Sequence, residues 1–263
     1  MKTIVVPTDF SVSAEHATLY AAQLAKTIRA SVLLLHVYQM PVTMSDFPVL
    51  IVSADELKQN ADEALRRAKE AAQKAMPDVT FEMESRMGDV AQEINDVCAG
   101  RELAVLVTGT KDLSGFEKFL MGSTTISIIK NCSFPVIAVP EKAPLRLPSK
   151  IALAVDLFHP EDIPVQKIKE LVSLLNAELH VVHIEEDGRK LTANSLPPGL
   201  QEVTCHSLKE DDVTKGIQHF ASENGIDLVM VMPHKHSFYE RVFFKGHTQG
   251  IINAMPVPVM CIR

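Results

Sequence analysis

Two glycines and a pair of hydroxyls are the residues of this chain best placed to do chemistry. Gly109 closes an apolar run, and Gly122-Ser123-Thr124 opens a segment with helical spacing. A residue without Cβ lets the backbone curl with positive φ and brings its N–H groups close to an oxyanion. Hydroxyls and unpaired amides at a helix start add donors where the helix dipole is positive. The chemistry implied is the holding of a phosphate or another anion. Asp112 opposes it, because it sets a carboxylate and a side chain between the two glycines. Lys111 and Lys118 offset that charge in part.

A second polar cluster is His234-Lys235-His236, with Arg241, Lys245 and His247 nearby. Histidines two apart with a third near a helix start could converge on zinc, but no further ligand is evident. A cationic pocket for an anionic metabolite and a solvated loop are the other readings, and no metal ligand is assigned. Catalytic signatures are missing: there is no Gly-x-x-x-x-Gly-Lys-Ser/Thr loop, Gly-x-Ser-x-Gly elbow or His-Glu-x-x-His helix. No catalytic residue is assigned, and the expectation is a protein that is not an enzyme. The net charge of −7 argues against a nucleic-acid partner. No apolar run reaches the ~18 residues that span a bilayer, so a cytoplasmic protein without a membrane partner is expected. Cys98, Cys132, Cys205 and Cys261 are far apart and read as small apolar residues with reduced thiols.

The elements that would position these residues alternate between strand and helix. Thr3–Val6 is a short β-branched run ended by Pro7-Thr8-Asp9, and an amphipathic helix capped by Ser11 or Ser13 follows. Ser31–Val37 is nearly all apolar, as in a strand covered on both faces. Ser53-Ala-Asp-Glu56 is a capping box that opens a long helix. Val79, Phe81, Met83 and Met87 alternate as in an edge strand, Asp89 starts a third helix, and Leu103–Val107 is a buried strand ending at Thr108-Gly109. Gly122–Asn131 reads as the last helix of this half and Pro135–Val139 as its last strand.

The second half repeats the order. Ile151–Asp156 matches Ile4–Asp9, and Leu179–Ile184 matches Leu33–Val37, with His183 at the place of His36. Leu228–Lys235 matches Val105–Lys111, Phe243–Thr248 matches Phe119–Thr124, and Pro258–Ile262 matches Pro135–Val139. The paired histidines read as hydrogen-bonded core residues. Glu185–Leu200 contains Gly188, Pro197, Pro198 and Gly199, which cannot hold the long helix of the first half. The sheet face near Val181 and Ile184 is therefore expected to need cover from the first half or from another chain.

Pro7-Thr-Asp9-Phe-Ser11, Gly88, and Gly109 followed by Gly122-Ser123-Thr124 resemble the universal stress proteins, over essentially the whole chain. The resemblance implies a five-stranded parallel sheet between helices. Nucleotide-binding members of that family carry Gly-x-x-Gly, nine residues, then Gly-Ser/Thr. Here Gly109-Thr-Lys-Asp112, nine residues and Gly122-Ser123 keep the spacing and both outer glycines. By this resemblance Asp9 holds the ribose or adenine side of ATP, Val37 offers backbone bonds to adenine, Pro7 stands with them among the binding residues, and Gly109, Gly122, Ser123 and Thr124 cradle phosphates. Asp112 leaves two readings open, a working pocket and a loop kept for structure. In the second half Pro233, His236 and His247 replace motif residues, so no cradle is expected there, although Asp156 and Gly246 persist.

The resulting expectation is an α/β protein of two doubly wound, five-stranded parallel repeats flanked by helices, the second lacking its second helix. The repeats span residues 1–140 and 150–263, joined by a linker at 141–149. They are expected to pair within the chain through their last strands or final helices, with a homodimer left open. The expected function is a non-catalytic stress-response or regulatory module that binds ATP or a related nucleotide in its first half. A protein-interaction scaffold without a ligand and a slow nucleotide hydrolase relying on Asp9 are the alternatives.

Overall fold

Strands form where β-branched residues and leucine run without a break, and helices where one face is small and apolar. The computed structural model describes residues 1–40, 53–112, 119–120, 128–129, 134–155, 160–185, 191–232 and 249–262. In the first half, β1 (Thr3–Pro7) and β6 (Val136–Pro140) are buried almost throughout and β2 (Ser31–Tyr38) over Ser31–Leu35, as strands covered on both faces must be. Helix α1 (Val12–Ile28) starts on the Ser11 side chain, which accepts from the Ala14 N–H. It stops at Arg29, whose left-handed φ of 53° turns the chain into β2. Helix α2 (Ala54–Ala75) begins with the Ser53–Glu56 capping box and buries Ala61, Leu65 and Ala72. Edge strand β3 (Phe81–Met87) leads to α3 (Val90–Ala99), capped by Asp89.

Strand β4 (Leu103–Asp112) runs on past Gly109, where a loop was expected. Its end forms an antiparallel ladder with the two-residue β5 (Phe119–Leu120), Lys111 facing Leu120 and Asp112 facing Phe119. Gly109 has no positive φ, so its backbone is extended and not curled.

The second half contains β7 (Lys150–Ala154), α4 (Val165–Leu175), β8 (Glu178–Ile184), β9 (Thr204–Leu208), α5 (Val213–Glu223), β10 (Leu228–Val231), α6 (Gln249–Ala254) and β11 (Val259–Cys261). Ten strands lie side by side in the order β3-β2-β1-β4-β6-β11-β10-β7-β8-β9. Every pair in that row is parallel except β6–β11, where Val136, Ile137 and Ala138 face Cys261, Met260 and Val259. The halves thus pair through their last strands, and the carboxyl ends of their parallel strands point in opposite directions.

Each face of the sheet is covered by one layer that crosses this junction. Ala17, Ala21 and Leu24 of α1 and Leu65 of α2 share a buried cluster with Ile168 of α4. On the other face Ile94 and Val97 of α3 join Ile217 and Phe220 of α5 and Ile251 and Ile252 of α6. The connecting segment is docked as well. His16 Nε2 donates to the Ala143 carbonyl (2.7 Å). The buried Asp227 accepts from Arg146 Nη2 (2.6 Å), Ser149 Oγ (2.6 Å) and the Ser149 and Lys150 N–H groups. Burial alone would raise the Asp227 pKa, but these donors outweigh it and hold the carboxyl below its ordinary range.

One expectation about cover is corrected. Among the described residues between β8 and β9, the regular structure is a short turn at Ala193–Ser195. Leu191, Leu196 and Leu200 of this connection pack with Val181 in one cluster, so the segment that replaces the helix covers the sheet itself. Ile184 points to the opposite face, where it lies with Ile217 of α5. Cys98, Cys205 and Cys261 form no disulfide.

Candidate functional site

The first half has a notch at the carboxyl end of its sheet, made by a short central strand between two longer ones. β1 ends at Pro7, opposite Leu35, while β2 continues through Tyr38 with β3 alongside. On its other side Val5 of β1 lies opposite Leu106, and β4 continues to Asp112. The strand order reverses between β1 and β4, since β2 and β3 lie on one side and β6 on the other. Open α/β sheets bind ligands at such a reversal, beyond the strand ends.

The turn that leaves β1 is held by its own side chains. The Phe10 N–H donates to Thr8 Oγ1 (3.0 Å), and the Ser11 N–H donates to Asp9 Oδ1 (3.1 Å). Ser11 Oγ also donates to Asp9 Oδ1 and lies 3.0 Å from Ser13 Oγ. Phe10 takes a left-handed φ of 63°, uncommon for a residue with a side chain. These bonds fix the backbone there, and its ring rests on His36 with centroids 4.6 Å apart. His36 Nδ1 donates to the Thr8 carbonyl (2.8 Å), and its ring lies 6.5 Å from that of Tyr38. A carbonyl can only accept, so Nδ1 carries the proton.

Of the residues assigned from sequence, Pro7, Asp9 and Val37 come together at this notch. Pro7 ends β1, Asp9 is exposed in the turn, and Val37 is half-buried on the part of β2 that overhangs β1. Gly109 lies in β4 beside them, but its missing Cβ serves packing. A Cβ there would stand 2.3 Å from the Ser13 carbonyl oxygen, where the first turn of α1 crosses the strand. Gly122, Ser123 and Thr124 lie outside the described residues, as do Lys118 and the second-half positions Asp156, Pro233, His234, His236, Arg241, Lys245, Gly246 and His247. Among the described residues, the ones this notch brings to one strand end are therefore Pro7, Asp9 and Val37, with Gly109 alongside.

Reading the sequence did not single out Phe10 or Tyr38 as site residues. The available signal was parity: His36 and Tyr38 are two apart on β2 and share one face of the sheet. The second half repeats part of the arrangement, since the His183 Nδ1 donates to the Val155 carbonyl (3.1 Å), just past β7. His183 Nε2 and Thr110 Oγ1 are buried without a hydrogen-bond partner among the described residues. His180 Nδ1 and His206 Nε2 approach to 3.1 Å under Phe220 of α5. Among the described residues no three His, Cys, Asp or Glu side chains are grouped to hold a metal, and no helix is long and apolar enough to cross a membrane.

Comparison with known proteins agrees with this architecture. The model of the universal stress protein family matches residues 1–140 and 198–263. A universal stress protein of Methanocaldococcus jannaschii is 28% identical over 156 residues, covering 54% of this chain and 96% of the relative. The crystal structure of a universal stress protein from Archaeoglobus fulgidus superposes with a TM-score of 0.77 at 20% identity, covering 99% of this chain and 98% of the other. A functionally unknown protein from Pseudomonas aeruginosa gives a TM-score of 0.63 at 14% identity, covering 100% of this chain and 92% of its own. At such identities the two structures share the fold.

Proposed function

This chain belongs to the universal stress protein family, and we propose that within that stress-response role its first half binds ATP or a related nucleotide without turning it over. The observation that carries the reading is the notch at the strand-order reversal. It brings Pro7, Asp9 and Val37, assigned by resemblance to nucleotide binding, to one strand end. Asp9 Oδ1 accepts from the Ser11 N–H and hydroxyl, so this oxygen helps to shape the turn at the site. The phosphates would extend toward Gly122, Ser123 and Thr124, the motif residues that keep the family spacing.

Isothermal titration of ATP into the intact protein tests this reading. A saturable one-to-one response is expected, weakened in Gly122→Val and unchanged in the second-half counterpart Gly246→Val. A flat response in the parent would replace the nucleotide reading with that of a scaffold working through protein contacts.

A further inference from the structure

The turn after β1 spends conformational strain on one aromatic side chain. Left-handed backbone costs a residue with a Cβ roughly 1–2 kcal/mol, yet Phe10 holds it under three side-chain bonds. The result is a phenylalanine left 40% exposed beside the notch, at the end of the ring row with His36 and Tyr38. One side of that ring is backed by His36, whose orientation is locked by its bond to the Thr8 carbonyl, and Tyr38 continues the row behind it. An exposed, rigidly backed π face at a ligand-binding strand end suits a planar heterocycle. Stacking tolerates any base, because every base presents a π face.

We propose that Phe10, supported by His36 and Tyr38, is the shelf on which the base of the bound nucleotide stacks, so that this site selects base-bearing ligands over bare polyphosphate or sugar phosphate. The inference rests on the nucleotide reading of the first half and adds the residue that recognises the base. Its competitor is a purely structural Phe10 that shields His36 from water.

The chain contains no tryptophan, so Phe10→Trp places a single indole at the shelf. Adenosine and ATP should quench its fluorescence saturably, while tripolyphosphate and ribose 5-phosphate should not. Phe10→Leu keeps apolar cover over His36 but removes the π face. It should weaken ATP by about five- to tenfold, the lower part of the range for base–aromatic stacking. Calorimetric ATP binding in Phe10→Leu equal to the parent, with no quenching in Phe10→Trp, would overturn the shelf and leave the nucleotide reading standing. Absence of ATP binding in the parent would overturn both.

Discussion

At Gly109 the missing side chain makes room for another part of the backbone. The Ser13 carbonyl occupies the space a Cβ would need, so α1 can cross β4 only if residue 109 is a glycine. The crossing in turn sets where Ser11 and Asp9 stand. Gly109→Ala should therefore cost about 1–3 kcal/mol in urea unfolding, the usual range for overpacking. It should also weaken any ligand held at the Asp9 turn; an unchanged urea midpoint would show that α1 can shift without penalty. Sequence alone marked Gly109 as special but pointed to positive φ, because the contact with Ser13 is tertiary. The Ser11 cap and the hydrogen-bonded, buried His183 were legible, since each follows from residue type beside a strand or helix end, whereas His36 makes the same bond but is only half-buried, at the site. Phe10 was not, because its exposure depends on a φ that only the folded turn imposes.

Among the elements, the connection from β8 to β9 does the work of a helix with three leucines. Leu200 is fully buried against the same sheet face as Val181. Leu200→Ala should cost about 2–5 kcal/mol, as large-to-small core changes do. Limited proteolysis should then cut first within this connection, and cleavage starting elsewhere would argue that another element covers the face. Glycine and proline content made the absence of a long helix among the described residues of this connection legible, but irregular segments have no periodicity that reveals which residues they bury. The His180–His206 pair adds a pH dependence. Burial, and then the neighbouring His180, holds the His206 pKa below the ordinary imidazole value. A histidine depressed in the folded state contributes stability that is present above its unfolded pKa of about 6.5. That contribution is lost as pH falls below that value toward the folded pKa. The urea midpoint should drop between pH 7 and pH 5.5, and His206→Gln should flatten the drop; equal pH profiles for the two proteins would exclude the pair as the cause.

For the whole molecule, the antiparallel β6–β11 pair turns two half-sheets into one and gives them common apolar layers. We propose that residues 1–140 and 150–263 are two copies of one unit, with 141–149 as a docked connection. Because the layers cross the junction, the halves should unfold in a single transition. The amides of Val136–Val139 and Val259–Cys261 should exchange only through global opening. Two separate transitions, with these amides exchanging early, would mean that the halves are loosely joined. The matched order of motifs is what the proposal of repetition rests on, and the apolar last strands made the observed pairing through them legible. The register was not legible, since Val-Ile-Ala-Val against Val-Met-Cys could slide without changing composition. The same pairing points the two strand-end crevices in opposite directions, and the assigned nucleotide residues all belong to the first half. Photolabelling with 8-azido-ATP tests that placement most directly. The account predicts ATP-competed label on peptides containing Pro7–Ser11 and Val37–Met40. Label confined to the second half, or unaffected by excess ATP, would contradict it.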